Sequence, residues 1–267
     1  MSLYGKEKPD YLKLSIDSML SQTIQPNEIV ILLDGHLPYE LENVVLEYQK
    51  KYGSLFNIIK SEKNIGLGLA LNLGLQNCRN ELVARMDTDD ISLPKRCEKQ
   101  LKIFEADAEL ALVGTAVDEF FDNPDNIIYT RFVPAGYEAI YKFAKRRSAF
   151  NHPTVMFKKS KVQAFGGYAP LRRNQDVDLF GRMLFGGCRA NNLQESLLLF
   201  RSSTDLEKRR RSWENTKSYI GTIYRFWRMG YSGFIDFLIV VVAQTVLFIC
   251  PLRMQRWIYK RFLRERE

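Results

Sequence analysis

The stretch Leu82-Val-Ala-Arg-Met-Asp87-Thr-Asp89-Asp90 brings three carboxylates directly behind a mostly apolar run. Such a run predicts a buried strand, and a buried strand that ends in acids must either expose them at a sheet edge or pair them with a cation. Carboxylates this close raise one another's pKa or bind a metal, and a hard divalent cation takes oxygen ligands and shares itself with a phosphate. Taken alone, the stretch is better explained as a solvated acidic turn or a helix N-cap before Pro94.

Strand and helix patterns alternate on both sides of this stretch. Strands are predicted at Met1–Tyr4, Glu28–Leu33, Leu55–Lys60 and Leu82–Met86. Four helices are predicted. One starts at Pro9, one ends at about Tyr52, one runs from Asn64 to about Cys78, and one starts at Pro94. This alternation predicts an α/β fold with a parallel, doubly wound sheet, in which ligands bind beyond the carboxyl ends of the strands. Asp34 and the Asp87–Asp90 cluster both fall at strand ends, which favours a binding site there.

The pattern changes after residue 110. Leu110–Val117 and Ile127–Val133 predict strands without regular crossover helices, and Leu179–Phe185 predicts a helix. Asp176, just before that helix, is by itself best explained as its N-cap. We therefore expect one domain over residues 1–204 with two halves of different pattern, 1–109 and 110–204.

Charge is distributed unevenly along the 267 residues. Residues 1–200 carry 25 Lys/Arg and 25 Asp/Glu, whereas residues 201–267 carry 14 and 6, so the whole net charge of +8 lies near the C-terminus. A neutral body with a basic tail, residues 205–267, points to an anionic surface that only the tail meets. The four cysteines form no CxxC pair and predict free thiols in a reducing compartment. The N-terminus has no signal-peptide pattern.

An apolar run of 17 residues, Phe234–Cys250, lies inside the tail and is interrupted by Asp236 and Gln244. Its length is at the lower limit for a membrane span. Basic residues flank both ends, so a single span would place one basic flank on the wrong side of the membrane. A segment that lies in the membrane plane or re-enters it keeps both flanks at the cytoplasmic face, where anionic lipids attract Lys and Arg. The alternative is a buried helix at a domain or dimer interface.

Six segments in this order resemble the family 2 glycosyltransferases, in particular the bacterial enzymes that build capsules, exopolysaccharides and O-antigens. The resemblance covers about residues 1–205 and implies a nucleotide-binding half, 1–109, and an acceptor-binding half, 110–204. It implies the GT-A fold, an α/β, Rossmann-like doubly wound sheet, with a C-terminal helical and membrane-associating extension. The matching segments are Ser18–Thr23, Val30–Gly35, Asn64–Asn72, Ala84–Pro94, Asn151–Phe157 and Gln175-Asp176.

This resemblance implies an inverting hexosyltransferase that takes a sugar from a nucleotide-sugar, usually a UDP-hexose, with Mg²⁺ or Mn²⁺ bound at the departing diphosphate. Asp89 and Asp87 match the metal-binding DxD motif, and Asp176 matches the base that removes the proton of the acceptor hydroxyl. Asp34 matches the position that contacts uracil. The positions that match donor contacts are Ser2, Asp34, Asn64, Gly66, Asp87 and His152.

The resemblance further implies a growing, lipid-linked glycan as acceptor. It places the enzyme at the cytoplasmic face of the bacterial inner membrane, attached peripherally through residues 205–267. Nucleic acid is not expected as a partner, because no nucleic-acid module is present and the apolar run fits lipid better.

Three alternatives remain at this point. An inactive binding or scaffold subunit of a polysaccharide assembly is favoured by the short first strand and by Gln175, which stands where the family has Glu. A nucleotidyltransferase would need a Gly-rich basic loop after the first strand, and Gly5-Lys6-Glu7-Lys8 is a poor match. A Rossmann dehydrogenase would need a third glycine after Gly66-Leu-Gly68.

Overall fold

A computed structural model describes residues 1–210 and 212–250 of the chain. The strands are β1 (Ser2–Leu3), β2 (Ile29–Asp34), β3 (Phe56–Ser61), β4 (Leu82–Ala84), β5 (Ile91–Ser92), β6 (Leu110–Phe120), β7 (Tyr129–Arg131), β8 (Met156–Lys158) and β9 (Arg189–Arg201). The helices are α1 (Pro9–Leu20), α2 (Tyr39–Tyr52), α3 (Leu67–Gln76), α4 (Arg96–Ala106), α5 (Tyr137–Ala144), α6 (Lys159–Ala164), α7 (Gln175–Phe185), α8 (Thr204–Arg210), α9 (Trp213–Arg228) and α10 (Phe234–Ile249). The predicted α/β class is confirmed.

The N-terminal part of the chain builds a parallel sheet with the strand order β1-β2-β3. Most residues of β2 are buried, as expected for a parallel strand covered on both faces. Asp34 is the last residue of β2 and lies opposite Ser61, the last residue of β3. The acid therefore stands at the carboxyl edge of this sheet, where the sequence places a binding site.

Strand β4 differs from the prediction in length and in pairing. It ends at Ala84 and pairs antiparallel with β8, with Leu82 opposite Lys158. The Arg85 amide continues this pairing by donating to the carbonyl of Val155 at 2.7 Å. β4 therefore belongs to a second, mixed sheet, with the order β4-β8-β6-β9-β5 and β7 paired to β6. The acidic turn therefore follows a strand of the second sheet, whereas Asp34 ends a strand of the first.

Strand β9, which the sequence did not predict, runs for 13 residues parallel to β6. Its first half, Arg189–Ser196, is polar and lacks an alternating apolar pattern, so nothing local marks it as a strand. Its end pairs antiparallel with β5, with Leu199 opposite Ile91. β9 thereby carries Arg201 to the acidic turn. Helix α4 also differs slightly, because it begins at Arg96 rather than at Pro94.

The described part of the predicted tail contains three helices, and α9 and α10 pack in the core that α7 also lines. Phe226 and Ile223 of α9, together with Val240 of α10, are buried in the same hydrophobic cluster as Phe180 of α7. Arg225 of α9 donates two hydrogen bonds, of 2.8 and 3.0 Å, to the carboxylate of Asp178. These contacts attach α9 to the helix that begins at Gln175.

One face of α10 remains exposed. We call this face the apolar stripe, and its residues recur at the spacing of one helical surface. They are Phe234, Ile235, Leu238, Ile239, Val242, Val246 and Ile249. No helix in the described ranges is both long and apolar enough to cross a membrane. The basic residues expected to follow the stripe, from Arg253 onward, lie outside the described residues.

The close approach of α7 and α9 depends on Gly181. A Cβ atom added there would overlap the ring of Phe226, which is fully buried. We expect Gly181→Ala to lower the free energy of unfolding by about 1–3 kcal/mol in urea denaturation, because overpacking outweighs the better helix propensity of alanine.

The matched control is Gly221→Ala within α9. A Cβ at Gly221 would meet only the Arg225 guanidinium, at 3.9 Å. This variant is expected to be neutral or slightly stabilising, by up to about 1 kcal/mol. Equal stability of the two variants would contradict the packing described for α7 and α9.

Candidate active site

The acidic turn after β4 brings three carboxylates together. Oxygen atoms of Asp87, Asp89 and Asp90 lie within 4.8 Å of one another. The pKa of Asp89 is raised to about 6, mainly by burial and secondly by the charge of Asp87. Burial also raises the pKa of Asp90 well above its usual value, and Asp89 and Asp87 raise it further. The turn therefore concentrates negative charge that a cation would neutralise.

Arg201, at the end of β9, forms hydrogen bonds with this turn. Its amide donates to Asp90 Oδ1 at 2.8 Å, and its Nε donates to the carbonyl of Asp89 at 2.9 Å. The guanidinium lies over the rings of Tyr11 and Phe120, at 3.8 and 4.5 Å from their centroids. Such cation–π contacts fix its position. The acidic turn is thus tied to β9 and α1.

Arg85 also binds residues of the acidic turn. Its buried guanidinium pairs with Asp87 Oδ1 and donates to the carbonyl of Met86. Arg96, which is fully buried, donates to the carbonyls of Arg85 at 3.0 Å and Pro153 at 2.9 Å. Asp87 therefore has one oxygen engaged by Arg85, which leaves Asp89 as the more available metal ligand.

Asp34 supports the loop that opens α3. Its carboxylate accepts hydrogen bonds from the amides of Ile65 at 2.7 Å and Gly66 at 3.2 Å. The side chain of Asn64 donates to the carbonyl of Asp34 at 3.3 Å. Gly66 has a φ of +83°, which glycine adopts without strain. Three of the predicted donor residues are therefore brought into one unit by their own hydrogen bonds.

His152 and Tyr168 form a pair that interacts electrostatically with both the acidic turn and the predicted base. The Nε2 atom of His152 is 3.0 Å from the Tyr168 hydroxyl. Burial lowers the pKa of His152, while Asp176 and Asp87 raise it. Burial raises the pKa of Tyr168, and both acids contribute to the increase. Both Asp87 and Asp176 therefore lie near enough to this pair to act on it electrostatically.

Asp176 is not an N-cap, contrary to the expectation from its position alone. Asn174 occupies the N-cap position in a left-handed conformation, with φ +57°, and Asp176 lies within the first turn of α7. Its carboxylate accepts no hydrogen bond from the other described residues. Asp178, by contrast, is bound by Arg182 at 2.9 Å and by Arg225. Asp176 is therefore the acid of this turn whose side chain is not engaged by another described residue.

Tyr4 and Glu7 were not recognised as site residues from the sequence. Ser2 lies inside β1, opposite Leu32, so Tyr4 is the residue that follows the strand. Burial, followed by the charges of Asp89 and Asp87, raises the pKa of Glu7 to about 7, and Arg209 opposes this increase. Both residues therefore border the acidic turn. The only local signal was their position directly after the first strand.

The carboxylate oxygens of the acidic turn are suitable ligands for a divalent cation. Carboxylate oxygens are the ligands that Mg²⁺ and Mn²⁺ prefer. Asp90 Oδ2 is buried and has no hydrogen-bond partner among the described residues, so the turn carries negative charge that the protein itself does not fully neutralise. Asp89 and Asp87 are the residues that would hold the ion, and Asp90 would add charge behind them.

Comparison with known proteins identifies relatives over the whole chain. The model of "Glycosyl transferase family 2" matches residues 1–166. The UDP-Gal:alpha-D-GlcNAc-diphosphoundecaprenol beta-1,3-galactosyltransferase of Escherichia coli is 34% identical over 264 residues, which cover 99% of this chain and 95% of that protein. The amylovoran biosynthesis glycosyltransferase AmsE of Erwinia amylovora is 34% identical over 262 residues, which cover 98% and 97%.

Solved structures show the same fold at low sequence identity. The mannosyltransferase PcManGT of Pyrobaculum calidifontis, in complex with GDP-Man and Mn²⁺, aligns with a TM-score of 0.67 and 14% identity, covering 93% of this chain and 69% of that one. Residues 1–349 of S. aureus TarS, in complex with UDP, align with a TM-score of 0.62 and 13% identity, covering 96% and 77%. The expected GT-A fold is confirmed. The chain belongs to glycosyl transferase family 2 and is a glycosyltransferase.

Proposed function

We propose that this glycosyltransferase moves a hexose from a UDP-sugar to a lipid-linked glycan, with inversion at the anomeric carbon and with a divalent cation. The observation that carries the proposal is that Asp87 of the acidic turn and Asp176 both act electrostatically on the same His152–Tyr168 pair, whose Nε2 and hydroxyl atoms are 3.0 Å apart. A donor diphosphate at the turn and an acceptor hydroxyl at Asp176 would then meet in one pocket.

The donor half of the proposal rests on the acidic turn and on the Asp34 loop. A divalent cation on Asp89 and Asp87 would supply Lewis-acid stabilisation of the departing diphosphate. Each oxygen of Asp34 accepts one loop amide and keeps a further lone pair, which suits the N–H of a uracil base. UDP is also the nucleotide in the name of the Escherichia coli relative and in the TarS complex.

Asp176 has the role of general base in this scheme. The oxygen of the acceptor hydroxyl attacks the anomeric carbon of the donor while its proton passes to the Asp176 carboxylate. The bond between the anomeric carbon and the diphosphate oxygen breaks, and the nucleoside diphosphate leaves. Attack from the side opposite the leaving group inverts the anomeric configuration. The neutral His152 and Tyr168 add no charge near the two acids.

The apolar stripe of α10 suits a membrane surface. Asp236, the one acid of this helix, pairs with Arg146 and caps the Gly233 amide at 2.8 Å, so it does not oppose burial in lipid. Arg147, which follows Arg146 in the chain, adds a positive charge. An apolar face with basic neighbours binds anionic bilayers in the plane of the interface. We therefore place the enzyme peripherally at the cytoplasmic face of the inner membrane.

A donor screen tests the proposal. UDP-, GDP- and dTDP-sugars are added with Mn²⁺ or Mg²⁺, and the melting temperature is measured, because only ligands of the native state raise it. We expect a UDP-hexose to give the largest shift, and EDTA to remove it.

Turnover is then measured with that donor and a lipid-diphosphate glycan, and the linkage is assigned by NMR. A product with the donor's anomeric configuration would contradict inversion. Donor binding without transfer or hydrolysis would favour the inactive scaffold subunit instead.

A further inference from the structure

Three arginines gather where the loop before α7 meets α8 and the start of α9. Arg172 and Arg173 precede Asn174, the N-cap of α7, and Arg209 lies on α8. Arg172 pairs with Glu214 of α9 at 3.0 Å, and both side chains are largely exposed. Ser218 of α9 donates to the carbonyl of Arg173 at 2.7 Å and so fixes the loop. We call these three residues the arginine cluster.

The charge of the arginine cluster is not balanced. Burial, and after it the charge of Arg209, lowers the pKa of Arg173; Arg172 adds to this effect and Glu214 opposes it. The Nε atom of Arg173 is buried and has no hydrogen-bond partner among the described residues. A guanidinium group with an unused donor, such as that of Arg173, can bind a phosphate group, which accepts several charge-assisted hydrogen bonds.

The cluster lies close to the proposed base. Arg173 lies three residues before Asp176. Arg173 and Arg209 both lie close enough to Tyr4 to influence its hydroxyl, and Tyr4 is in turn influenced by Asp89. An anion bound by the cluster would therefore lie near both the acidic turn and Asp176.

The cluster also adjoins one end of the apolar stripe. Trp213, the neighbour of Glu214, is 56% exposed, and its ring lies 5.4 Å from that of Phe248 in α10. Ile249, the last residue of the stripe, is 70% exposed. An alkyl chain on the stripe would consequently end near the arginines.

We infer that Arg172, Arg173 and Arg209 bind the diphosphate that joins an acceptor glycan to its lipid, while the lipid chain lies along the apolar stripe of α10. This inference rests on the proposed function and specifies how the acceptor is recognised. The donor diphosphate has the same chemistry, but in the proposed function it is neutralised by the cation on Asp89 and Asp87. The neighbouring apolar surface distinguishes the two, because a nucleotide has no chain to place there.

Binding of octyl diphosphate, octyl phosphate and UDP, each with Mg²⁺, tests this site by calorimetry. In Arg173→Gln and Arg209→Gln, the Kd for octyl diphosphate is expected to rise about 10- to 100-fold, since each loses charge-assisted hydrogen bonds to phosphate. The Kd for UDP is expected to stay within about twofold. Arg172→Gln, an exposed position, provides a variant whose folding is not at risk.

The matched control is Arg189→Gln. Arg189 is about half exposed and pairs with Asp107 at 3.2 Å, at the start of β9 and outside the cluster. It should bind all three ligands like the unmodified protein. Thermal unfolding of each variant checks that the fold is retained.

Two results would overturn the inference. A loss of UDP affinity with unchanged binding of octyl diphosphate would assign the arginines to the donor. Equal affinities of the unmodified protein for octyl diphosphate and octyl phosphate would exclude recognition of a diphosphate. Failure of the proposed function is distinguishable, because absent sugar transfer with the expected binding pattern would leave this site intact and remove only the reaction assigned to it.

Discussion

Asp176→Asn is expected to fold, to bind donor with unchanged affinity and to transfer sugar about 10³-fold more slowly. Loss of a general base typically costs about 10²- to 10⁴-fold in rate, because the attacking hydroxyl keeps its proton. The fold should survive, because the Asp176 carboxylate accepts no hydrogen bond from other described residues and Asn is nearly isosteric. Replacing an acid in the first helical turn costs only about 0.3–1 kcal/mol. Steady-state kinetics with a varied donor separate kcat from KM.

The matched control is Glu138→Gln, which removes an exposed acid from the first turn of α5. It should leave kcat and KM unchanged. A kcat for Asp176→Asn close to that of the unmodified enzyme would remove Asp176 from the reaction. A parallel loss of donor affinity would instead assign Asp176 to donor binding.

Asp89→Asn is expected to abolish metal-dependent donor binding and to reduce turnover at least about 10³-fold, since the cation provides several kcal/mol of charge stabilisation. Calorimetry with UDP, with and without Mn²⁺, measures the binding. Asp125→Asn, in an exposed loop, is the control for loss of an acid away from the site. Unchanged metal-dependent binding of UDP in Asp89→Asn would exclude Asp89 as a ligand.

The raised pKa of Asp89 also predicts a pH dependence. Because burial and Asp87 raise this pKa to about 6, the proton competes with the cation below pH 6. The apparent Kd for Mn²⁺ should increase about tenfold for each pH unit below 6 and be nearly constant above it. Metal affinity that does not change between pH 5 and 7 would contradict this assignment.

The same shift makes the acidic turn costly without a metal. A carboxyl whose pKa is raised on folding binds its proton more tightly in the folded state, so the metal-free protein loses stability as the pH rises from about 4 to 6. That loss persists above pH 6. Metal-free Asp89→Asn should therefore melt at or above the temperature of the unmodified protein at pH 7.5, although it is inactive. Function and stability place opposite demands on Asp89.

The tail shows how tertiary structure changes the meaning of a sequence feature. By composition, residues 205–267 are a basic and apolar appendage. In the fold, however, Phe226 lies against Gly181 and Arg225 binds Asp178, so α9 supports the helix that carries Asp176. The domain boundary at residue 204 remains a prediction, but α9 shares its core with the residues before that boundary.

The sequence by itself determined the α/β class, the strand ends at Asp34 and Asp87–Asp90, and the resemblance that assigns Asp176. The α/β class and the strand ends depend on short-range patterns of apolar residues, which a single strand or helix displays. The resemblance depends on short motifs in a fixed order. Only the tertiary structure decided what holds these acids in place. Arg201 meets Asp90 across 111 residues of chain, and it does so through β9, a strand that has no local signal in its first half. The arginine cluster likewise joins α8 to the loop before α7, a contact that arises only when distant segments pack together.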